Sequence, residues 1–226
     1  MVVFMAYRIV VTEVTLYGRL RCVAGFELDR GVMIRPEPAA AGFWEARVCG
    51  PNTTFHPGHV VEFRGERPQT ALPHNTEDIV VGGAPRRIAV LSADGFRQAL
   101  DRAAVFSPET VFGDHLRFDG DKAFVPAGAA CGSLACQTVD AANFKLFEHA
   151  YKDEHKLRAE LKIGGRVLRL AVAAKALKQA FEKEGLAAAR DLVPKAGRAQ
   201  VRLGLARPFK DHPDQCYLQV NGLHAL

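Results

Sequence analysis

His155-Lys156-Leu157-Arg158-Ala159-Glu160-Leu161-Lys162-Ile163, then Gly164-Gly165, then Arg166-Val167-Leu168-Arg169-Leu170-Ala171-Val172, is the stretch on which the fold of the C-terminal half turns. In the first run Leu157, Ala159, Leu161 and Ile163 alternate with Lys156, Arg158, Glu160 and Lys162, and a period of two places each set on its own face of a strand. The glycine pair suits the two-residue turn that strand twist favours, so the three pieces read as a β-hairpin with one packed face and one basic face.

Working outward, Ser133 to Val139 and Asn143 to Glu148 read as strands before the hairpin. After it, Lys175 to Arg190 reads as a helix with Leu177, Ala180, Phe181 and Ala188 inward. Beyond Pro194 come strands Gln200 to Ala206 and Gln215 to Val220. Strands, a helix, then two strands is the order of an OB fold, a partly open Greek-key barrel of five strands that commonly binds oligonucleotides.

The first half repeats this order less cleanly. Tyr7 to Thr15, Leu20 to Leu28 and Val32 to Arg35 form a meander punctuated by Tyr17-Gly18 and Asp29-Arg30-Gly31. Pro36 to Pro57 holds four prolines and reads as a long loop insertion, His59 to Arg64 as a strand, and Ser92 as the cap of a helix over Ala93 to Ala104. Turn residues from Phe106 to Gly132 predict the connection between domains. The fold class expected is therefore α+β, mainly β: two tandem OB-like five-stranded barrels, each with a helix. The first covers 1–128, with the insertion at 36–57 and a connecting segment at 105–128. The second covers 129–226.

Charge is unevenly spread along the 226 residues. Residues 1–128 carry 14 Lys and Arg against 15 Asp and Glu, whereas 129–226 carry 16 against 10, so the basic half is the one expected to meet a polyanion. No apolar run approaches the roughly 20 residues a membrane helix needs. The start, Met1 to Ala6, lacks the basic region of a signal peptide, and Met5 offers a natural start. Five scattered cysteines, Cys22, Cys49, Cys131, Cys136 and Cys216, are expected to be reduced thiols in a cytoplasm. Cys131 and Cys136 have no second ligand pair at zinc spacing, so no metal or other cofactor is expected.

Several segments together resemble the dual OB-containing domain family of prokaryotes. They are Ile9 to Val14, Arg21 to Phe26, Ile34-Arg35-Pro36, Pro73 to Asp78, Leu205 to Phe209 and Cys216 to Gly222. The landmarks are the arginine-proline after the third strand, His74-Asn75-Thr76-Glu77-Asp78, and the closing Leu218-Gln219-Val220-Asn221-Gly222. The resemblance spans nearly the whole chain and implies two OB-like barrels. It carries no catalytic residues over.

Candidate binding residues follow from the alternation. Lys156, Arg158 and Lys162 occupy the outer face of the hairpin. By the same parity Arg202 is expected outward on one late strand, and Tyr217, Gln219 and Asn221 outward on the last. Cations beside a ring and amides can hold phosphates and stack a base. The same polarity is also what a plain solvated strand shows, and lysines guard strand edges. A second group, Arg35, His74, Glu77 and Asp78, could ligate a metal or move a proton, or could be a turn. His56 and His59 flank a Pro-Gly turn with no acidic partner.

There is no nucleophile elbow, phosphate-binding glycine loop or dinucleotide fingerprint. The chain therefore reads as a binding protein rather than an enzyme, with single-stranded DNA or RNA as partner through the second barrel and no membrane. Two readings stay open beside it: a protein-interaction adaptor of a nucleic-acid-processing or defence system, and a hydrolase using His74 and Glu77.

Overall fold

A computed structural model describes residues 4–39, 42–68, 76–151, 154–163 and 165–226. The chain divides into two units, residues 1–105 and 106–226.

In the first unit β1 (Met5–Tyr17) is long enough to serve two partners. Its N-terminal part pairs with β5 (His59–Glu66), from Met5 opposite Gly65 to Val10 opposite Val60. From Ile9 onward it also pairs with β2 (Leu20–Glu27), through a register shift between Val11 and Glu13 beyond which only the β2 pairing continues. A bulge of this kind bends a strand and increases its twist. β2 pairs with β3 (Met33–Pro38), β3 runs parallel to β6 (Asp78–Val81), and β6 returns to β5, which closes the circuit of pairings on β1. Ile9, Val11, Val14, Val23, Ile34, Val61, Phe63 and Ile79 fill the inside.

The stretch 36–57, expected as a loop, is partly ordered. β4 (Trp44–Glu45) pairs with β2 and a 3-10 turn covers Ala46–Val48. Trp44 and Phe55, with ring centroids 4.8 Å apart, join the core, and Trp44 Nε1 donates to the Pro36 carbonyl at 2.7 Å. Two large apolar rings outweighed the prolines here. Among the described residues no α-helix lies between the third and fourth strands of this circuit. The helix of the unit, α1 (Ala93–Ala103), follows β7 (Arg86–Val90), begins at Ser92, whose Oγ accepts from Gly95 N, and packs Ala99 against Val10 and Val60.

In the second unit the segment read as a connector is part of the structure. α2 (Pro108–Phe112) is followed by a hairpin of β8 (Arg117–Asp119) and β9 (Lys122–Pro126), and Phe112, Ala123 and Val125 are buried in the core. The turn residues in 106–128 shape tight turns within the unit, so the second unit begins at residue 106 rather than 129.

β10 (Leu134–Asp140) and β11 (Lys145–Tyr151) flank a 3-10 turn at Ala141–Asn143, where an Asp140 carboxylate oxygen accepts from Ala142 N at 2.9 Å. β11 pairs with β12 (Glu154–Ile163), and β12 with β13 (Arg166–Val172), in which Ile163 stands opposite Arg166 and Gly165 takes φ 79°; Gly164 lies outside the described residues. Two helices follow, α3 (Lys175–Glu184) and α4 (Leu186–Asp191), where one was expected. Gly185, at φ 85°, divides them in a backbone region that only glycine enters cheaply. β14 (Arg198–Leu205) pairs with β10 and with β15 (Gln215–Ala225), and β15 runs parallel to β13 and antiparallel to β9. The pairings thus run from β11 through β12, β13, β15 and β14 to β10. Among the described residues no ladder joins β10 to β12, but the Gln137 side chain spans them, donating from Nε2 to the Lys162 carbonyl at 2.8 Å.

Candidate nucleic-acid interface

The hairpin β12–β13 behaves as its alternation requires: Leu157, Ala159, Leu161 and Ile163 are buried, and Lys156 and Lys162 are exposed. Register then assembles an outer face. Phe147 stands opposite Arg158, Arg158 opposite Ala171, and Ala171 beside Gln219, so one row crosses four strands with a ring, a guanidinium, a methyl and an amide. The neighbouring row holds Lys145, Glu160 and Arg169, with the Arg169 guanidinium 5.5 Å from the Phe147 ring centre. Lys156 lies opposite His149.

Tyr217, one side-chain step along β15 from Gln219, faces Phe124 of β9, with ring centroids 5.8 Å apart. Lys122 stands 6.0 Å over the Tyr217 ring. The loop between β14 and β15 adds Phe209 and His212, whose rings lie 6.0 and 5.5 Å from that of Tyr217. Phe209 is 48% exposed. Four rings and a cation therefore cluster at one edge of the sheet. The alternation found Tyr217 but missed Phe124, Phe209, His212 and Lys122, because they come from a segment read as a connector and from an irregular loop. The Arg207-Pro208-Phe209 run, with Arg207 and Phe209 exposed, is the sequence signal for this cluster.

Electrostatics temper the cationic count. Lys156 Nζ lies 2.7 Å from Glu154, and Arg169 lies 3.9 Å from Glu160 and 3.8 Å from Asp121. His155 and Glu148 form a further close pair. Arg158 has no hydrogen-bond or ion-pair partner among the described residues. Desolvation pulls its guanidinium below the ordinary arginine range, and Asp121 offsets this only in part.

Two expected members of the interface are not on open surface. Arg202 is 0% exposed, its Nη1 donating to Gln200 Oε1 at 3.2 Å, and Asn221 is buried with its Oδ1 accepting from Gln219 Nε2 at 3.1 Å. The parity was right but the inference from it was not, since β14 is buried on both faces from Ala199 onward and an alternating pattern cannot tell a wet face from a polar buried one.

Of the second group, His74 lies outside the described residues. Arg35 and Asp78 form a buried ion pair at 2.7 Å, and Arg35 N donates to the Glu77 carbonyl at 2.8 Å. Burial opposes the Arg35 charge, but Asp78, Cys22 and Glu77 together hold that guanidinium above the ordinary arginine range. Asp78 is thus engaged in holding β3 to β6. Among the described residues no group of three or more His, Cys, Asp or Glu is disposed to hold a metal ion, and all five cysteines are free thiols. No helix is long and apolar enough to cross a membrane.

Two mostly-β units, each containing a parallel pair of strands, make a tandem OB-like protein. The model of the dual OB-containing domain matches residues 7–223, and the chain belongs to that family. Neither a curated protein nor a solved structure matches it.

Proposed function

We propose that the second unit binds single-stranded nucleic acid along the outer face of β12, β13 and β15. The observation that carries the reading is the row Phe147–Arg158–Ala171–Gln219, which continues into the ring cluster around Tyr217. A strand laid across it would meet a guanidinium for phosphate, rings for bases and amides for base edges, with Ala171 leaving room above the sheet. Each unit has the strand order of a five-stranded OB barrel. In the second, β10 and β11 act as one bent first strand, and α3–α4 occupy the place of the helix between the third and fourth strands. The outer face of the second and third strands is where such barrels commonly take oligonucleotides.

In this reading the contacts are Lys156, Arg158, Lys162, Tyr217 and Gln219, joined by Phe147, Phe209 and Lys122. Arg202 and Asn221, buried, brace neighbouring side chains rather than touch the strand, and the setting is cytoplasmic. Titration of fluorescent single-stranded DNA, RNA and duplex at two salt concentrations tests it: measurable, salt-sensitive binding of a single strand supports the reading, and no binding to any of the three at low salt removes it.

A second reading, a protein-docking adaptor, draws on one observation in the first unit. Tyr17, 59% exposed at the tip of the β1–β2 hairpin, stacks on Phe43 at 4.5 Å and 4°. An exposed tyrosine held in place by a neighbouring ring is a typical anchor for a protein partner. Co-purification of a partner with the wild type but not with Tyr17→Ala would favour it.

A further inference from the structure

Beside the sheet face, the start of β12, the end of β13 and one side of α3 enclose a cleft of about 420 Å³. Its cations are Lys156, Arg158 and Lys178; Ala171, Val172 and Phe181 give it apolar walls. Its volume falls in the range of small-molecule sites, which pair mostly apolar walls with a few placed polar groups.

The three cations are not equivalent. Lys156 is matched by Glu154 at 2.7 Å and Lys178 by Glu182 at 3.8 Å, and both carboxylates line the cleft. Arg158, half-buried, has no hydrogen-bond or ion-pair partner among the described residues, and the charge of Asp121 offsets its desolvation only in part. A desolvated guanidinium without an acceptor is a costly arrangement unless an anion completes it. Its planar fork fits two oxygens of a phosphate at once. The two rim carboxylates would repel a long polyphosphate but can accept hydrogen bonds from sugar hydroxyls. The apolar wall of Phe181 and Val172 suits the flat face of a base.

We propose that this cleft binds a nucleoside monophosphate, either free or as the 5′-terminal residue of a strand, with the phosphate on Arg158 and the base against Phe181. The site shares Arg158, Lys156 and Ala171 with the sheet face and shares neither Lys178 nor Phe181 with it. It can therefore stand or fall independently of strand binding.

Calorimetric titration of the full chain with adenosine 5′-monophosphate and with adenosine tests the proposal. The monophosphate is expected to bind at least tenfold more tightly. Lys178→Glu should remove most of that ratio. Glu182→Ala, which releases Lys178 and lifts a rim carboxylate, should strengthen monophosphate binding, an outcome that a misfolded variant cannot produce. Tyr217→Ala, in the ring cluster, should leave the ratio unchanged even where it weakens strand binding. Matched oligonucleotides with and without a 5′-phosphate separate the two sources: a gain of similar size from the phosphate assigns the cleft to strand ends, and none assigns it to free nucleotide. Equal binding of adenosine and its monophosphate, or indifference to both α3 substitutions, overturns the proposal whatever the strand titrations show.

Discussion

The Asn221 side chain lies directly over the backbone of Gly204, so close that a Cβ added to Gly204 would stand 2.1 Å from Asn221 Nδ2 and 3.0 Å from its Cγ. The contact links β14 to β15 and explains the missing side chain at Gly204 by space, since its φ is not in the left-handed region. Gly204→Ala is expected to cost about 1–3 kcal/mol, the usual range for overpacking a filled site. Chemical denaturation of the single variant and of Gly204→Ala/Asn221→Ala checks it: the double variant should recover part of the loss. Additive losses would refute the contact.

Arg202 tests whether burial or charge describes that residue better. A binding arginine on open surface would leave stability alone when removed. With Arg202 fully buried and bonded to Gln200, Arg202→Ala removes that buried hydrogen bond and leaves a void, and should cost about 1–3 kcal/mol or more. The readout is a lowered unfolding midpoint, while the salt dependence of nucleic-acid binding by the folded variant stays as in the wild type.

What could be foreseen, and what could not, follows a physical line. The hairpin 155–172 was legible because both faces obey one rule: apolar in, charged out. Residues 106–128 read as a connector because their core residues, Phe112, Ala123 and Val125 with Val111, Leu116 and Phe118 packed against the same core, are set among turns and build no sustained period. Arg202 was misplaced because parity identifies sides of a strand but not what lies on them. Arg158 is legible as a cation, but its lack of a hydrogen-bond or ion-pair partner among the described residues is a property of the assembled sheet. The ring cluster needed the pairing of β9 with β15, a long-range contact that no local pattern encodes.

Alkaline conditions should weaken the protein through its buried thiol. Burial, with a contribution from Cys131, pushes Cys216 up to about 11 from an ordinary value of 9.0. The folded state therefore holds the proton more tightly than the unfolded chain, so this contribution is full below pH 9 and declines as pH rises toward 11. Tyr7, raised mainly by burial, acts in the same direction at higher pH. Thermal unfolding at pH 8 and pH 10 should show a drop that is smaller in Cys216→Ala. At pH 8 Cys216 should also be slow to alkylate in the native protein. An equal pH drop in the variant would exclude the thiol as the cause.

Binding itself should separate into an ionic part and a stacking part, because cations and rings occupy different places on the face. Each phosphate contact with a single strand releases roughly 0.7 counterion, so three or four contacts give a log–log salt slope of about −2 to −3. Changing Lys156, Arg158 and Lys162 together to Ala should remove most of that slope. Lys156 and Lys162 are exposed and Arg158 has no hydrogen-bond or ion-pair partner among the described residues, so the triple variant should unfold near the wild-type midpoint. Phe209→Ala and Tyr217→Ala should instead weaken binding by about 1–3 kcal/mol each with the slope nearly unchanged, as expected for lost base stacking. Tyr217 Oη donates to Gln215 at 2.5 Å, so Tyr217→Phe separates the ring from its hydroxyl and should retain most of the affinity. If the two ring substitutions together cost less than either range allows while the triple variant still abolishes the slope, the face attracts phosphate without stacking bases, and duplex should then bind as well as a single strand.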